Sequence, residues 1–237
     1  ACRACGVQRL VHFSSVHALN QEPVDIPLDE DRPLVNSPAV PPYDRSKAAG
    51  ERLVRQAIAD GLDAVILYPT GIIGPYDFKP SHLGQVLLSL ARGRMLALVD
   101  ASFDWVDARD VAEGALRAEV QAPTGARYLL SGRRVPIQDL AAMVAAIAGV
   151  RAPRLVFPLG LASLGVPFAN LFRRKGSRPL FTAATLHALR GNLNISHARA
   201  SRDLDYQPRP IEVTLRDTLD WFARAGYVGQ RRLPGER

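Results

Sequence analysis

Two stretches decide the fold: Tyr43-Asp44-Arg45-Ser46-Lys47 and Ala64-Val65-Ile66-Leu67-Tyr68. Because Pro41-Pro42 restrict the backbone just before the first stretch, we predict a helix that begins near Tyr43 or Asp44. The helix is expected to end at Asp60-Gly61, since glycine readily takes the left-handed conformation that closes a helix. The second stretch is a short apolar run, which is typical of a buried strand.

A third apolar run lies upstream, at 9–13, and ends at Ser14-Ser15. The order strand, long loop, helix, strand indicates a parallel α/β crossover. In sheets of this kind, ligands bind beyond the carboxyl ends of the strands. Ser14-Ser15 and Tyr68-Pro69-Thr70-Gly71 follow two such ends, and the helix with Tyr43 begins after the loop from the first of them. We therefore expect three separate segments to meet at one edge of the sheet.

Tyr43 and Lys47 are four residues apart, so they lie one turn apart on the same face of the predicted helix. A free tyrosine, with a pKa near ~10, is a poor acid–base catalyst at neutral pH. An ammonium group held beside a phenol favours the phenolate, and the pair then suits proton transfer in carbonyl or alcohol chemistry. Taken alone, the pair is also typical of the exposed start of an amphipathic helix.

Four stretches occur together and in order over about the first half of the chain. They are Leu10-Val11-His12-Phe13-Ser14-Ser15, Tyr43-Asp44-Arg45-Ser46-Lys47-Ala48, Tyr68-Pro69-Thr70-Gly71-Ile72-Ile73-Gly74-Pro75 and Phe103-Asp104-Trp105-Val106-Asp107-Ala108-Arg109-Asp110-Val111-Ala112. In this order they resemble the extended short-chain dehydrogenase/reductase family, also called the NAD-dependent epimerase/dehydratase family. The third stretch is most similar to the branch that contains dihydroflavonol reductases and hydroxysteroid dehydrogenases.

The resemblance implies an α/β fold with a partial Rossmann-type parallel sheet and a smaller, mainly helical substrate lobe. The C-terminal part of the nucleotide-binding domain is expected at 1–74 and 101–131, and the substrate lobe at 75–100 and 132–237. The family's Gly-x-x-Gly-x-x-Gly turn, which holds a pyrophosphate at a helix N-terminus, does not occur in the sequence. The expectation is that this chain is a fragment of a longer protein and is inactive alone.

The resemblance also implies roles for individual residues, with NAD or NADP as the cofactor. Tyr43 would exchange a proton with the substrate oxygen, Lys47 would favour the phenolate and bind the nicotinamide ribose, and Ser15 would donate a hydrogen bond to the reacting oxygen. The residues expected along the nicotinamide, through backbone contacts, are Pro69, Thr70 and Ile72. For Ser15 the alternative is turn formation at the end of a strand. His17 is expected to face the substrate, with packing of the loop as the alternative.

These assignments predict reversible reduction of a ketone or aldehyde by NAD(P)H. Nucleotide-sugar epimerases and dehydratases of the family usually carry an asparagine near the position of Thr70-Gly71, and dehydratases tend to place carboxylates where this chain has Val16-His17. This chain departs from both patterns, so an NAD-dependent nucleotide-sugar epimerase or dehydratase is the alternative to the reductase and not the first choice. A second alternative is a non-catalytic dinucleotide-binding regulatory protein.

Composition limits the partners. The net charge is +7, from 30 Lys and Arg against 23 Asp and Glu, but the basic residues are spread along the chain. We expect a small carbonyl or alcohol substrate, no nucleic acid and no metal, in a cytoplasmic protein that could form a homodimer. The apolar segment 155–172 is interrupted by prolines and glycines, so we interpret it as core of the smaller lobe and not as a transmembrane helix, with contact to a membrane surface as the less favoured alternative.

Periodicity predicts the remaining elements. Further helices are expected at 82–92, from about 109 to 120, and at 137–148, 196–204 and 210–225. Further strands are expected at 95–99 and 127–130. Asp107 and Asp110 are interpreted as residues that support a helix N-terminus and not as a catalytic carboxylate pair.

Overall fold

The computed structural model describes residues 1–160, 189, 191–192 and 194–228. Its strands are β1 Leu10–Phe13, β2 Ala64–Pro69, β3 Gly71–Ile73, β4 Ala97–Asp100, β5 Ser102–Asp107, β6 Arg127–Leu130, β7 Arg133–Pro136 and β8 Leu155–Pro158. Its α-helices are α1 Pro42–Ala59, α2 His82–Ala91, α3 Ala108–Gln121, α4 Ile137–Ala148, α5 Ala198–Leu204 and α6 Ile211–Arg224. Short 3-10 helices lie at Arg3–Cys5 and Val16–Ala18.

The chain divides into two compact units. The first contains residues 1–72, 104–133 and 191–209, and the second contains residues 73–103, 134–190 and 210–237. The sequence analysis assigned 191–209 to the substrate lobe, whereas the structure places this segment in the first unit. The reason is packing, because Leu204 and Tyr206 are buried in one apolar cluster with Leu130 of β6.

The first unit is built on a parallel sheet in which β2 lies between β1 and β6. All six residues of β2 are buried. Val65 and Leu67 pack in a cluster with residues of α3, whereas Ile66 and Tyr68 pack in another with residues of α1. Both faces of β2 are therefore covered, which explains its continuous apolar sequence. The predicted parallel α/β crossover is confirmed.

The first helix follows the prediction closely. α1 begins at Pro42, a position where a proline loses no helical hydrogen bond. It closes at Asp60, and Gly61 adopts a φ of 89° that a side chain would disfavour. The bounds of this helix decide where Tyr43 and Lys47 lie.

Four of the described strands were not predicted: β8, and the strands β3, β5 and β7, which form a second three-stranded sheet in the order β3-β5-β7. The prediction treated the residues before 109 only as a lead into a helix, but Ser102–Asp107 is a strand and Asp107 is the N-cap of α3. The Asp107 carboxylate accepts the Arg109 amide at 2.8 Å. Asp110 lies in the first turn of the same helix, so the interpretation of both residues as helix support is consistent with their positions.

The second unit is mainly helical in its described part. α2, α4 and α6 pack on one another, and β4 pairs in parallel with β8. The core interpretation of segment 155–172 is wrong for Leu155–Pro158, because these four residues form a strand with exposed side chains; residues 161–172 lie outside the described part. Among the helices of the described residues, none has the length and apolar character needed to cross a bilayer.

Candidate active site

Tyr43 and Lys47 lie in the first two turns of α1 and differ in exposure. Tyr43 is 54% exposed, whereas Lys47 is partly buried. The Lys47 ammonium donates a hydrogen bond to the carbonyl oxygen of Phe13, the last residue of β1, at 3.0 Å. This contact holds the amine at the carboxyl end of β1, and the four-residue spacing puts the Tyr43 phenol one turn away on the same side of the helix.

Ser15 follows directly after that end of the strand. It is only 5% exposed, and its hydroxyl oxygen accepts the backbone N–H of His17 at 3.2 Å, which makes it the N-cap of the 3-10 helix Val16–Ala18. Ser15 therefore does stabilise the turn after β1, as the alternative interpretation expected. Accepting this bond uses an oxygen lone pair, so the O–H group keeps its capacity to donate to a second acceptor.

His17 is half-buried on the short helix that Ser15 caps. Its backbone N–H is the donor to the Ser15 hydroxyl, and a role for His17 in substrate binding stays a prediction. Among the described residues there is no group of three His, Cys, Asp or Glu placed to hold a metal ion.

A buried carboxylate, Glu51, joins the elements around the site, and the sequence analysis missed it. Glu51 accepts the Ser14 hydroxyl at 2.6 Å and the Tyr68 hydroxyl at 2.6 Å, and it pairs with Arg55 at 2.6 Å. Burial and the negative charge of Glu51 both raise the pKa of Tyr68 and keep this phenol protonated. The cluster ties α1 to the ends of β1 and β2, and so it fixes the helix that carries the Tyr43–Lys47 pair.

A signal for Glu51 was present in the sequence. Tyr43, Lys47, Glu51 and Arg55 recur every four residues, so they form one polar stripe along α1.

The end of β2 carries the other predicted residues. Pro69 is the buried last residue of the strand, and the Ile72 side chain is 38% exposed. The Thr70 hydroxyl donates to the Asp104 carboxylate at 2.6 Å. Asp104 also accepts the backbone N–H of Gly132, at 2.9 Å. Burial raises the pKa of Asp104, although both hydrogen bonds act in the opposite direction.

His197 lies next to this carboxylate in the first unit. Its Nδ1 atom is 2.8 Å from the Ser131 hydroxyl, and its ring meets the Tyr206 ring edge to face at 5.7 Å. Serine, histidine and aspartate thus occur together, but Ser131 has no exposed surface and cannot act as a nucleophile on a substrate. Burial lowers the pKa of His197, and the negative charge of Asp104 only partly opposes this effect.

The lowered pKa of His197 predicts a dependence of stability on pH. Because the unfolded histidine titrates at the higher pKa, it takes up a proton first as the pH falls below about 6.5, and the fold then loses stability. His197→Asn keeps a polar atom near the Ser131 hydroxyl but removes the titration. We expect the loss of stability between about pH 7.5 and about pH 5.5 to be smaller in His197→Asn than in the wild-type protein. Thermal unfolding at the two pH values measures this, and an equal loss in both proteins would contradict it.

The arrangement fits a nicotinamide dinucleotide. The partly buried Lys47 amine lies at the carboxyl end of β1, and the exposed Ile72 side chain follows the carboxyl end of β2, where parallel α/β sheets bind their ligands. Lys47 could bind a ribose hydroxyl, and the backbone of Pro69, Thr70 and Ile72 could lie along the nicotinamide. The fold is that of the dinucleotide-binding α/β class of proteins.

The family follows from comparison with known proteins. A sequence profile described as the NAD dependent epimerase/dehydratase family matches residues 1–130, which is more than half of the chain. The chain belongs to this family, as the resemblance of its four stretches predicted. A nicotinamide dinucleotide is the cofactor of the family.

Similar proteins extend the match over nearly the whole chain. Sterol demethylase protein B of Methylococcus capsulatus is 32% identical over 232 residues, which are 95% of this chain and 70% of that protein. A Synechocystis protein provisionally named as a dihydroflavonol 4-reductase is 29% identical and matches over 96% of this chain and 68% of its own length. The crystal structure of gox2253 is 32% identical, with a TM-score of 0.79 over 95% of this chain and 69% of that one.

Proposed function

We propose that this chain is part of an NAD(P)H-dependent reductase that converts a ketone or aldehyde to an alcohol. Tyr43 is the proposed proton donor, Ser15 the proposed hydrogen-bond donor to the carbonyl oxygen, and Lys47 the proposed cation beside the phenol and the ribose. The observation that supports this most is the hydrogen bond from Lys47 to the Phe13 carbonyl. It holds the amine at the end of β1, two residues before Ser15 in the chain.

When bound, the nicotinamide supplies the hydride, and the protein supplies orientation and the proton. The substrate oxygen gains negative charge during the reaction, and a hydrogen bond from the Ser15 hydroxyl stabilises that charge. The Tyr43 hydroxyl then gives its proton to this oxygen. The Lys47 ammonium stabilises the phenolate that remains, since opposite charges at short range favour the ionised form.

Reduction is proposed over epimerisation for two reasons. The chain has Thr70-Gly71 where the nucleotide-sugar enzymes of the family usually have an asparagine, and Val16-His17 where dehydratases tend to have carboxylates. In addition, the similar Synechocystis protein is provisionally named as a reductase. An epimerase is the second candidate function, because the description of the family includes epimerases.

A substrate comparison separates the two functions. The full-length protein is incubated with NADH or NADPH and a set of simple aromatic and aliphatic ketones, and separately with UDP- and dTDP-sugars. We expect loss of nicotinamide absorbance with at least one ketone and no conversion of the sugars. Sugar conversion without ketone reduction would support the epimerase, and dinucleotide binding without either reaction would support the non-catalytic alternative.

A further inference from the structure

Asp104 is a buried carboxylate that contacts a residue proposed to lie along the nicotinamide. It is 6% exposed, and its Oδ1 atom accepts both the Thr70 hydroxyl at 2.6 Å and the Gly132 amide at 2.9 Å. Thr70 directly follows β2, Asp104 lies in β5, and Gly132 comes two residues after β6. One oxygen atom therefore connects three segments of the first unit.

We propose that Asp104 is a positioning residue for the cofactor: by holding the Thr70 side chain, it fixes the backbone after β2 in the conformation that receives the nicotinamide. This inference rests on the proposed function, because it takes from it the role of Pro69, Thr70 and Ile72. A hydrogen bond to a carboxylate is stronger than one between two neutral groups, so it can select one conformation of a short segment.

The geometry around Gly132 explains why the carboxylate itself is held firmly. A Cβ atom at Gly132 would lie 1.9 Å from the carbonyl oxygen of Trp105, so the backbone of this turn and the backbone of β5 are in direct contact. On the other side, the carbonyl oxygen of Ser131 accepts the Tyr206 hydroxyl at 3.1 Å. The support for Asp104 is thus rigid backbone on one side and a buried aromatic residue on the other, a combination that suits precise positioning.

The backbone of Thr70 is only weakly held by hydrogen bonds of its own. Thr70 lies at the junction between β2 and β3, and its own amide reaches the Leu130 carbonyl only at 3.4 Å, near the limit for a hydrogen bond. The short side-chain bond to Asp104 is the stronger of the two contacts. Without it, Thr70 itself would keep only the long contact of its amide with Leu130 between the two paired strands.

The test measures binding of NADPH to the full-length protein by the change in its fluorescence. Asp104→Ala removes the acceptor, and we expect the dissociation constant to rise about tenfold, as the loss of one hydrogen bond of about 1.4 kcal/mol predicts. Asp104→Asn keeps an oxygen that can accept from both donors, and it is expected to bind within about twofold of the wild type. The KM for the carbonyl substrate should stay unchanged in both variants.

Asp110→Ala is the matched control for Asp104→Ala. Asp110 is also a buried carboxylate of the first unit, at 4% exposure, but it holds Arg209 and not the end of β2. This variant should lower the melting temperature and leave NADPH binding unaltered. A purely structural role for Asp104 would make Asp104→Ala behave in the same way.

Thr70→Val and Thr70→Ser test the hydrogen bond between Thr70 and Asp104 by changing its donor. They test the proposed role of Asp104 even if Asp104→Ala does not fold. Thr70→Val should weaken NADPH binding by about fivefold, and Thr70→Ser should restore it because the hydroxyl is retained. NADPH binding by Thr70→Val equal to that of the wild type would overturn the inference while leaving the reductase proposal intact. A wild-type protein that binds no dinucleotide would instead overturn the proposed function and this inference with it.

Discussion

Replacement of Tyr43 by phenylalanine in the full-length protein is expected to lower kcat for ketone reduction by about 1,000-fold, the usual contribution of a positioned general acid. The variant keeps the ring and loses only the hydroxyl proton that the substrate oxygen is proposed to receive. Because Tyr43 is 54% exposed and lies at the start of α1, stability should change little. The dissociation constant for NADPH should also stay close to that of the wild type.

Tyr76→Phe is the control for this experiment. Tyr76 is another exposed tyrosine, in the second unit, and the same loss of a hydroxyl there should leave kcat unaltered. Turnover is followed as the decrease in nicotinamide absorbance at saturating ketone, with melting temperatures measured in parallel. A Tyr43→Phe protein that turns over within about twofold of the wild type would remove Tyr43 from the mechanism, since a general acid contributes far more than that.

Glu51→Ala is expected to lower the free energy of unfolding by about 2–6 kcal/mol, because two buried hydroxyls lose their acceptor at a cost of about 1–3 kcal/mol each. Glu51 is fully buried, and its loss leaves the hydroxyls of Ser14 and Tyr68 without their acceptor. Arg55 is 35% exposed and can turn toward water, so the larger part of the cost comes from the two buried hydroxyls. Urea denaturation followed by circular dichroism measures the change.

Two further variants make this result interpretable. Glu51→Gln retains an oxygen for the Tyr68 hydroxyl, and it should cost clearly less than Glu51→Ala. Glu119→Ala removes an exposed carboxylate on α3 and should change stability by less than about 0.5 kcal/mol. Equal stabilities of Glu51→Ala and Glu119→Ala would show that the buried cluster does not hold α1 to the sheet.

Much of the fold could be predicted because its signals are local. Pro41-Pro42 and Gly61 mark the ends of α1, and the buried apolar runs mark β1, β2 and β6. Of the strands that were missed, β3 has only three residues, β5 and β7 mix polar with apolar side chains, and β8 begins a longer apolar segment of the sequence. In such strands, pairing with distant parts of the chain decides the structure, and a local pattern cannot reveal it.

Candidate site residues could be proposed from the sequence where spacing marks them, whereas contacts formed only in the folded chain were missed. The four-residue interval between Tyr43 and Lys47 can be read directly from the sequence, and the resemblance to a known family added Ser15. The hydrogen bonds from Thr70 to Asp104 and from Ser14 to Glu51 join residues 34 and 37 positions apart. Their formation depends on the folded arrangement of β2, β5 and α1, which no interval in the sequence specifies.

The central claim is that the Tyr43 phenol and the Ser15 hydroxyl act on the same substrate oxygen, with Lys47 held beside them at the end of β1. The most direct measurement is a crystal structure of the full-length protein with oxidised dinucleotide and the alcohol product of an active ketone. The account predicts that the product oxygen lies within about 3.2 Å of both hydroxyl oxygens, the reach of a hydrogen bond. A product oxygen bound by other side chains, with Tyr43 turned toward solvent, would contradict it.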